Sequence, residues 1–308
     1  MRSFSNKKYK WLSEKDKSKA CGGSVLQNRA GKRLWNKTRG EGRARRQGGQ
    51  HTMETPKGGV FLPRIFLSPS TQEFNLYLTE GSEEFWMNLI ADAMEPYLLA
   101  SGISFTRNDP DKPLSDAIAQ SNAGSYDLHL ALHSNASPES LAGKLRGVDA
   151  YYYETSARSR RAAQTLADNI KQVYPLPELV KTVPTTSLAE LSQTRAPAVL
   201  MELGYHDNVQ DEAWIRENIA PIAENLVQGL TLYFGIPFVQ PEPVRYGVVA
   251  TQQSPLMLRN YPSLDADIIA RIPKGTRLPA YGTVGDWYVV FYQGLGGYVY
   301  SRYITLEQ

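Results

Sequence analysis

The stretch that most constrains this chain is Tyr126-Asp127-Leu128-His129-Leu130-Ala131-Leu132-His133-Ser134-Asn135-Ala136. Leucine at every second position predicts a strand with one apolar face, and the run stops in a polar His-Ser-Asn triplet. Such a strand needs a sheet around it and delivers His133 to its carboxyl end, where ligands gather in open α/β sheets. Two readings of His133 stand at this point: a metal ligand or general base, and a core histidine satisfied by a neighbour.

The surrounding pattern supplies the sheet. Arg64-Ile65-Phe66-Leu67 is a short apolar run that ends in the polar loop Ser68 to Glu73. A helix is predicted from Glu83 to Ser101, with Ser82 as N-cap, Gly102 as stop and Pro96 as a bend. Strands are expected at 103–107, 147–153, 179–183 and 198–204, and helices at 115–122, 156–173 and beyond Asn208. Strands alternating with helices predict an α/β fold, a mixed twisted sheet with helices on both faces.

Two acidic residues stand out against this frame. Glu202 interrupts Ala198-Val199-Leu200-Met201-Glu202-Leu203, a run otherwise fit for burial. A carboxylate there costs several kcal/mol unless paired, metal-bound or protonated, and such placements are enriched at catalytic sites. The competing reading is a buried salt bridge to a residue such as Arg195. Glu84 lies in the first turn of the predicted helix, where a carboxylate is also stabilised by the helix N-terminus alone.

Charge divides the chain. Residues 1 to 52 hold 15 Lys and Arg against 3 Asp and Glu, whereas the remainder holds 19 against 28. Residues 1–57 are too polar to offset the entropy of ordering, and read as a disordered basic tail. The tail is either a polybasic arm for an anionic polymer or an extension ahead of a true start at Met53. The mildly acidic body excludes nucleic acid as its main partner. Cys21, the only cysteine, lies in the tail, so the body has no disulfide, no Cys-type zinc site and no thiol nucleophile. No stretch is long enough to span a membrane, and the basic start is not followed by the apolar core of a secretory signal.

Several segments, in order, resemble the zinc-dependent N-acetylmuramoyl-L-alanine amidases with an AmiC/CwlV-type catalytic domain. They are Glu84 to Leu89, Thr106-Arg107, Asp127 to Ala136, Gly147 to Tyr152 and Pro197 to Tyr205. The resemblance implies Glu84 and His133 as Zn2+ ligands and Glu202 as the catalytic carboxylate. It also implies a cleavable bond between N-acetylmuramic acid and L-alanine of the peptidoglycan stem peptide. The family's Gly-His-Gly motif, source of the first zinc ligand, is absent here, and Leu67 to Gln72 stands in its place. Gln72, Glu73 and His206 are the candidates for a third ligand. His129 is four strand residues from His133, about 13 Å along the chain, and reads as a buried structural histidine. Asn135 is expected to orient the His133 loop, and Arg195 to line the substrate cleft.

After this catalytic domain, 58–236, a Pro-rich linker spans 237–244. The residues 245–308 show short alternating runs and turns, a small β-barrel pattern. Leu258 to Ser263, Pro273 to Thr276, Asp286-Trp287-Tyr288 and Gly297-Tyr298-Val299 resemble a bacterial SH3 domain, which implies a cell-wall peptide-binding module. The expected function is therefore a peptidoglycan hydrolase acting at the cell wall, reached by lysis or by an export route other than a secretory signal. The alternative is a catalytically degenerate amidase fold that binds wall without cleaving it.

Overall fold

The computed structural model describes residues 62–307. The basic tail and Cys21 lie outside them, as does the question of which tail reading holds.

A six-stranded sheet forms the first half, in the order β2-β1-β3-β6-β4-β5. Its strands are β1 Arg64–Pro69, β2 Ser104–Arg107, β3 Leu128–Asn135, β4 Val148–Tyr153, β5 Val180–Thr185 and β6 Ala198–Tyr205. β1, β2, β3 and β6 run parallel, while β4 is antiparallel to β6 and parallel to β5. The helices are α1 Glu83–Ala100, α2 Leu114–Ala123, α3 Ala157–Ile170, α4 Ala189–Ser192, α5 Val209–Glu217 and α6 Ile219–Phe234. This is the α/β architecture expected, with boundaries shifted by a residue or a few.

Period-two alternation sorts the two faces of the sheet. Ile65, Leu67, Leu128, Leu130, Leu132, Val148, Ala150, Val199, Met201 and Leu203 join the main core beneath α1, α3 and α6. Met87, Leu98, Ala163, Leu166, Leu226 and Leu230 come down from those helices onto it. The opposite face carries Ala131, Ala198 and Leu200, covered by Leu191 of the single-turn helix α4. Phe66, Ser68, His129, His133, Asp149 and Glu202 alternate onto this second face. It is the thinly covered side, and it holds the chemistry.

Ser82 caps α1, accepting a bond from the Phe85 backbone N–H at 3.2 Å, with Glu83 and Glu84 in the first turn. Pro96 sits inside the helix without ending it. Gly235 closes α6 in the left-handed conformation (φ 70°), a cost that glycine avoids.

The second half is a seven-stranded antiparallel sheet in the order β13-β7-β10-β11-β12-β8-β9. Its strands are β7 Arg245–Val249, β8 Leu256–Arg259, β9 Ile268–Ile272, β10 Arg277–Val284, β11 Trp287–Tyr292, β12 Leu295–Tyr300 and β13 Ile304–Leu306. Val249, Leu256, Leu258, Ile272, Leu278, Val290 and Val299 fill its core. A separate cluster of Trp287, Val289 and Tyr298 packs on Leu62 and Ile236 of the first half. Two glycines permit this approach: a Cβ on Gly282 would meet the Ala100 carbonyl oxygen at 2.7 Å, and one on Gly296 the Gly102 oxygen at 2.9 Å. The Ser101 hydroxyl also accepts the Val239 N–H at 3.0 Å. Trp287 and Tyr298 are thus core residues of a junction.

Candidate active site

The carboxyl ends of β1, β3 and β6 and the start of α1 share one rim of the sheet. His133 pairs in register with Glu202 on β6, and Glu202 with Asp149 on β4. Residues paired in this way point to the same face, so His133, Glu202 and Asp149 form a row across three strands.

His133 is buried and sandwiched between two carboxylates. Its Nδ1 lies 2.7 Å from Glu83 Oε1, and its Nε2 lies 3.3 Å from Glu190 Oε2. Burial alone would lower its pKa, yet the bonds to Glu190 and Glu83 hold it well above the usual imidazole value. Both ring nitrogens thus face carboxylate oxygens. Burial works against ionising Glu83 and Glu190, but the histidine bonds prevail and both stay below the ordinary glutamate range.

Glu190 ties further residues into the cluster. Its Oε1 accepts from Ser68 Oγ and stands 2.9 Å from His129 Nε2, while His129 Nδ1 stands 2.9 Å from Ser121 Oγ. His129 is fully buried and stacks on Phe66 at 5.2 Å. The two histidines, set apart by four strand residues, reach opposite oxygens of one carboxylate. On the other side, Asn75 donates to Glu83 Oε2 at 2.6 Å and to Gln72 Oε1 at 3.1 Å.

Glu202 differs from the other acids. Its Oε2 is buried and has no hydrogen-bond partner. Burial, opposed by the nearby His133 charge and reinforced by Glu83, Asp149 and Glu190, pushes its pKa up to about 7. Asp149 is also raised, by burial. A carboxyl poised near neutrality beside a cationic histidine can take and return a proton at physiological pH.

The expected residues fall into two groups. His133 and Glu202 meet on the rim, and Gln72 reaches it, its side-chain amide 3.4 Å from both His133 Nδ1 and Glu83 Oε1. The helix-start carboxylate in contact with His133 is Glu83; Glu84 is buried beside it. Glu73 is exposed on the wall of the adjoining cavity. His206 is held by Ser134, with Nδ1 3.1 Å from both its Oγ and its carbonyl oxygen, and stacks on Tyr77 at 5.4 Å. Asn135 accepts the Ala136 N–H at 2.9 Å and so shapes the loop after β3. Arg195 precedes the opposite end of β6, where its N–H donates to Asn122 Oδ1 at 2.7 Å, and is not brought to this rim.

Glu190 had no sequence signal. Leu188-Ala189-Glu190-Leu191 reads as an ordinary amphipathic turn, and only the tertiary fold carries the acid under β3. Glu83 was within reach of the sequence, because tandem acids in a first turn point about 100° apart and one of them faces the strand ends.

A cavity of about 630 Å³ opens beside His133 and Glu190, between the loop after β1 and the loop after β2. Ser70, Gln72, Asn108 and Lys112 are among its walls. Among the described residues, no group of three or more His, Cys, Asp and Glu side chains is arranged to hold a metal ion. The geometry explains this: Glu83 and Glu190 occupy opposite nitrogens of His133 and do not converge. A divalent metal nevertheless fits the chemistry on the Nδ1 side. An imidazole nitrogen, a carboxylate oxygen and a side-chain amide face one another there, and Glu202, which has a buried carboxylate oxygen without a partner, is in register with His133.

The family model described as N-acetylmuramoyl-L-alanine amidase matches residues 74–231. The chain belongs to that family. The match begins just past Gln72, beyond the loop where the first-ligand motif is missing. A second family model, the bacterial SH3 domain, matches residues 254–305. The probable cell wall amidase LytH of Staphylococcus aureus is 30% identical over 112 residues, 35% of each chain. The chain thus spans about a third of the length of the curated relatives it matches. Among solved structures, N-acetylmuramoyl-L-alanine amidase AmiC2 of Nostoc punctiforme aligns with a TM-score of 0.51 at 16% identity, over 56% of this chain and 97% of that one. An N-acetylmuramoyl-L-alanine amidase from Clostridium difficile 630 gives 0.51 at 20% identity, over 57% and 98%. At such identities the likeness is one of fold.

Proposed function

We propose that this chain hydrolyses the amide bond between N-acetylmuramic acid and L-alanine of the peptidoglycan stem peptide. The observation that carries the proposal is Glu202: a half-buried residue whose inner carboxylate oxygen has no partner, with a pKa of about 7, in register with His133. Glu202 takes the proton of an attacking water and returns one to the leaving amine of L-alanine. Burial first, and then the neighbouring acids Glu83, Asp149 and Glu190, keep its proton affinity high enough for that return.

Zn2+ is the metal the family implies, and when bound it supplies Lewis-acid chemistry and a water of lowered pKa. His133 and Glu83 are the residues here that would hold it. Glu190 fixes the His133 ring by its bond to Nε2, leaving Nδ1 toward Glu83, as carboxylates behind ligating histidines do. Ligation by Glu84, which the resemblance implies, is separable by mutation. Loss of zinc binding in Glu83→Ala but not in Glu84→Ala supports Glu83, and the reverse supports Glu84.

The SH3 domain would hold the enzyme on the wall, raising the substrate concentration at the active site. The decisive assay incubates purified protein with peptidoglycan and measures newly exposed L-alanine amino termini. Release by the wild type and its loss by orders of magnitude in Glu202→Ala are expected. Equal release by Glu202→Ala would remove this residue from the mechanism. One observation favours a second reading, a wall-binding protein without hydrolysis: both nitrogens of His133 are engaged by carboxylates. Wall binding with no release of amino termini at any zinc concentration would establish that reading instead.

A further inference from the structure

The loop after β1 does more than lack a histidine. Gln72 is turned into the site, with its side-chain nitrogen position 3.4 Å from Glu83 Oε1 and 3.4 Å from His133 Nδ1, which are themselves 2.7 Å apart. Donors bound at zinc-like lengths around a tetrahedral ion stand about 3.3 Å from one another. The three groups therefore already converge: the two Gln72 distances match that spacing to within about 0.1 Å, while the hydrogen-bonded His133–Glu83 pair would have to open by about 0.6 Å.

The amide presents nitrogen to that face here, and this is an orientation set by the hydrogen-bond network. Half a turn about its terminal torsion exchanges nitrogen for oxygen with almost no change in shape. The oxygen now accepts from Asn75 at 3.1 Å, and that bond is what the turn would exchange for a metal bond. Asn75 keeps its shorter bond to Glu83 at 2.6 Å and so continues to hold the acid in place. The backbone also fixes Gln72. Its N–H bonds to Ser70 Oγ at 3.2 Å, and its carbonyl accepts from Asn75 and Glu84 at 3.4 Å.

We infer that Gln72 is the third metal ligand of this chain, its amide oxygen standing where other members of the family are expected to use an imidazole. The inference rests on the metal-dependent reading above. It excludes the other two candidates by position, since His206 is committed to Ser134 and Tyr77, and Glu73 lies on the exposed cavity wall. A set of two oxygens and one nitrogen is harder than the two imidazoles and one carboxylate of the family pattern. It should bind zinc less tightly, with relatively more tolerance for oxygen-preferring ions.

The test uses the full chain stripped of metal, with Co2+ and Zn2+ alone as probes. Cobalt binding is followed by its visible absorption and zinc affinity by competition with a chromogenic chelator; neither needs substrate or turnover. One ion per chain is expected for the wild type. Gln72→Ala should weaken binding by about tenfold or more, in the range that loss of supporting groups at metal sites produces. Gln72→His should tighten it and change the cobalt spectrum, as an added nitrogen donor must. Gln72→Ala with wild-type affinity, or Gln72→His with an unchanged spectrum and affinity, would overturn the assignment while leaving metal dependence intact. A wild type that binds no ion at all would overturn both. Circular dichroism of each variant separates lost binding from lost folding.

Discussion

Replacing Glu202 by glutamine should make this protein more stable above neutral pH while abolishing the amidase activity proposed above. Burial raises the Glu202 pKa from 4.5 to about 7. Below pH 4.5 the group is protonated in both folded and unfolded chains and has no effect. As pH rises through that value the unfolded chain ionises first, so stability drains away until the folded carboxyl also ionises near pH 7. A tenfold difference in proton affinity between the two states is worth about 1.4 kcal/mol. The cost therefore grows from about 1 kcal/mol at pH 5 to about 3 kcal/mol at pH 8.5. Glutamine keeps the shape and carries no charge to bury. The attraction of Glu202 to His133 is already contained in the raised value. The assay is urea unfolding of wild type and Glu202→Gln, with chelator present, at pH 5 and pH 8.5. Trp86 and Trp214, both in the core of the first domain, serve as reporters. The variant should gain about 2 to 3 kcal/mol relative to wild type between the two pH values. Parallel curves, or a wild type that gains on the variant, would refute the claim that the fold holds this carboxylate against its own preference.

Other consequences follow from the same network. Glu190→Ala strands His129 and His133 without their shared acceptor and should cost about 3 kcal/mol or more, as broken buried ion pairs do, measurable as a lowered midpoint in urea. Asp211 is fully buried and accepts from Arg146, Tyr174 and the Gly147 and Tyr205 N–H groups, so Asp211→Ala should destabilise the first domain by about 3–5 kcal/mol and lower its thermal midpoint. Gly282→Val drives a side chain into the Ala100 carbonyl and should loosen the junction, seen as faster proteolysis within 237–244, while intrinsic fluorescence still reports both folded cores. A chelator should abolish release of L-alanine amino termini, and added Zn2+ should restore it; full activity in the chelator would reject zinc dependence.

What could be read from the chain, and what could not, divides along one physical line. The leucines of β3, the break of pattern at Glu202 and the cap at Ser82 are local, and each follows from spacing a few residues long. From these the sheet, its rim and the meeting of His133 with Glu202 were legible in the sequence. The rim's remaining members are set by contacts between distant segments. Glu190 lies 57 residues beyond His133 and 122 beyond Ser68, on a turn whose own sequence is ordinary, yet it joins both.

Strand arithmetic separates His129 from His133 by about 13 Å, and from that distance two independent roles were the natural expectation. Yet the two rings meet on one carboxylate of the covering helix, with Nε2 of His129 2.9 Å and Nε2 of His133 3.3 Å from the oxygens of Glu190. One acid therefore sets the orientation of the site's histidine and anchors it to a buried one. Here the buried His129 and the candidate site residue His133 are coupled through Glu190. A substitution at His129, deep in the sheet and far from any ligand, should consequently be felt at Nδ1 of His133. In His129→Leu, Glu190 loses one of its two histidines, and the hold on His133 changes without any change in the rim itself. That is the sense in which Ser68, His129, His133 and Glu190 form a single unit: they come from three segments of the chain, and each is bonded through the one carboxylate.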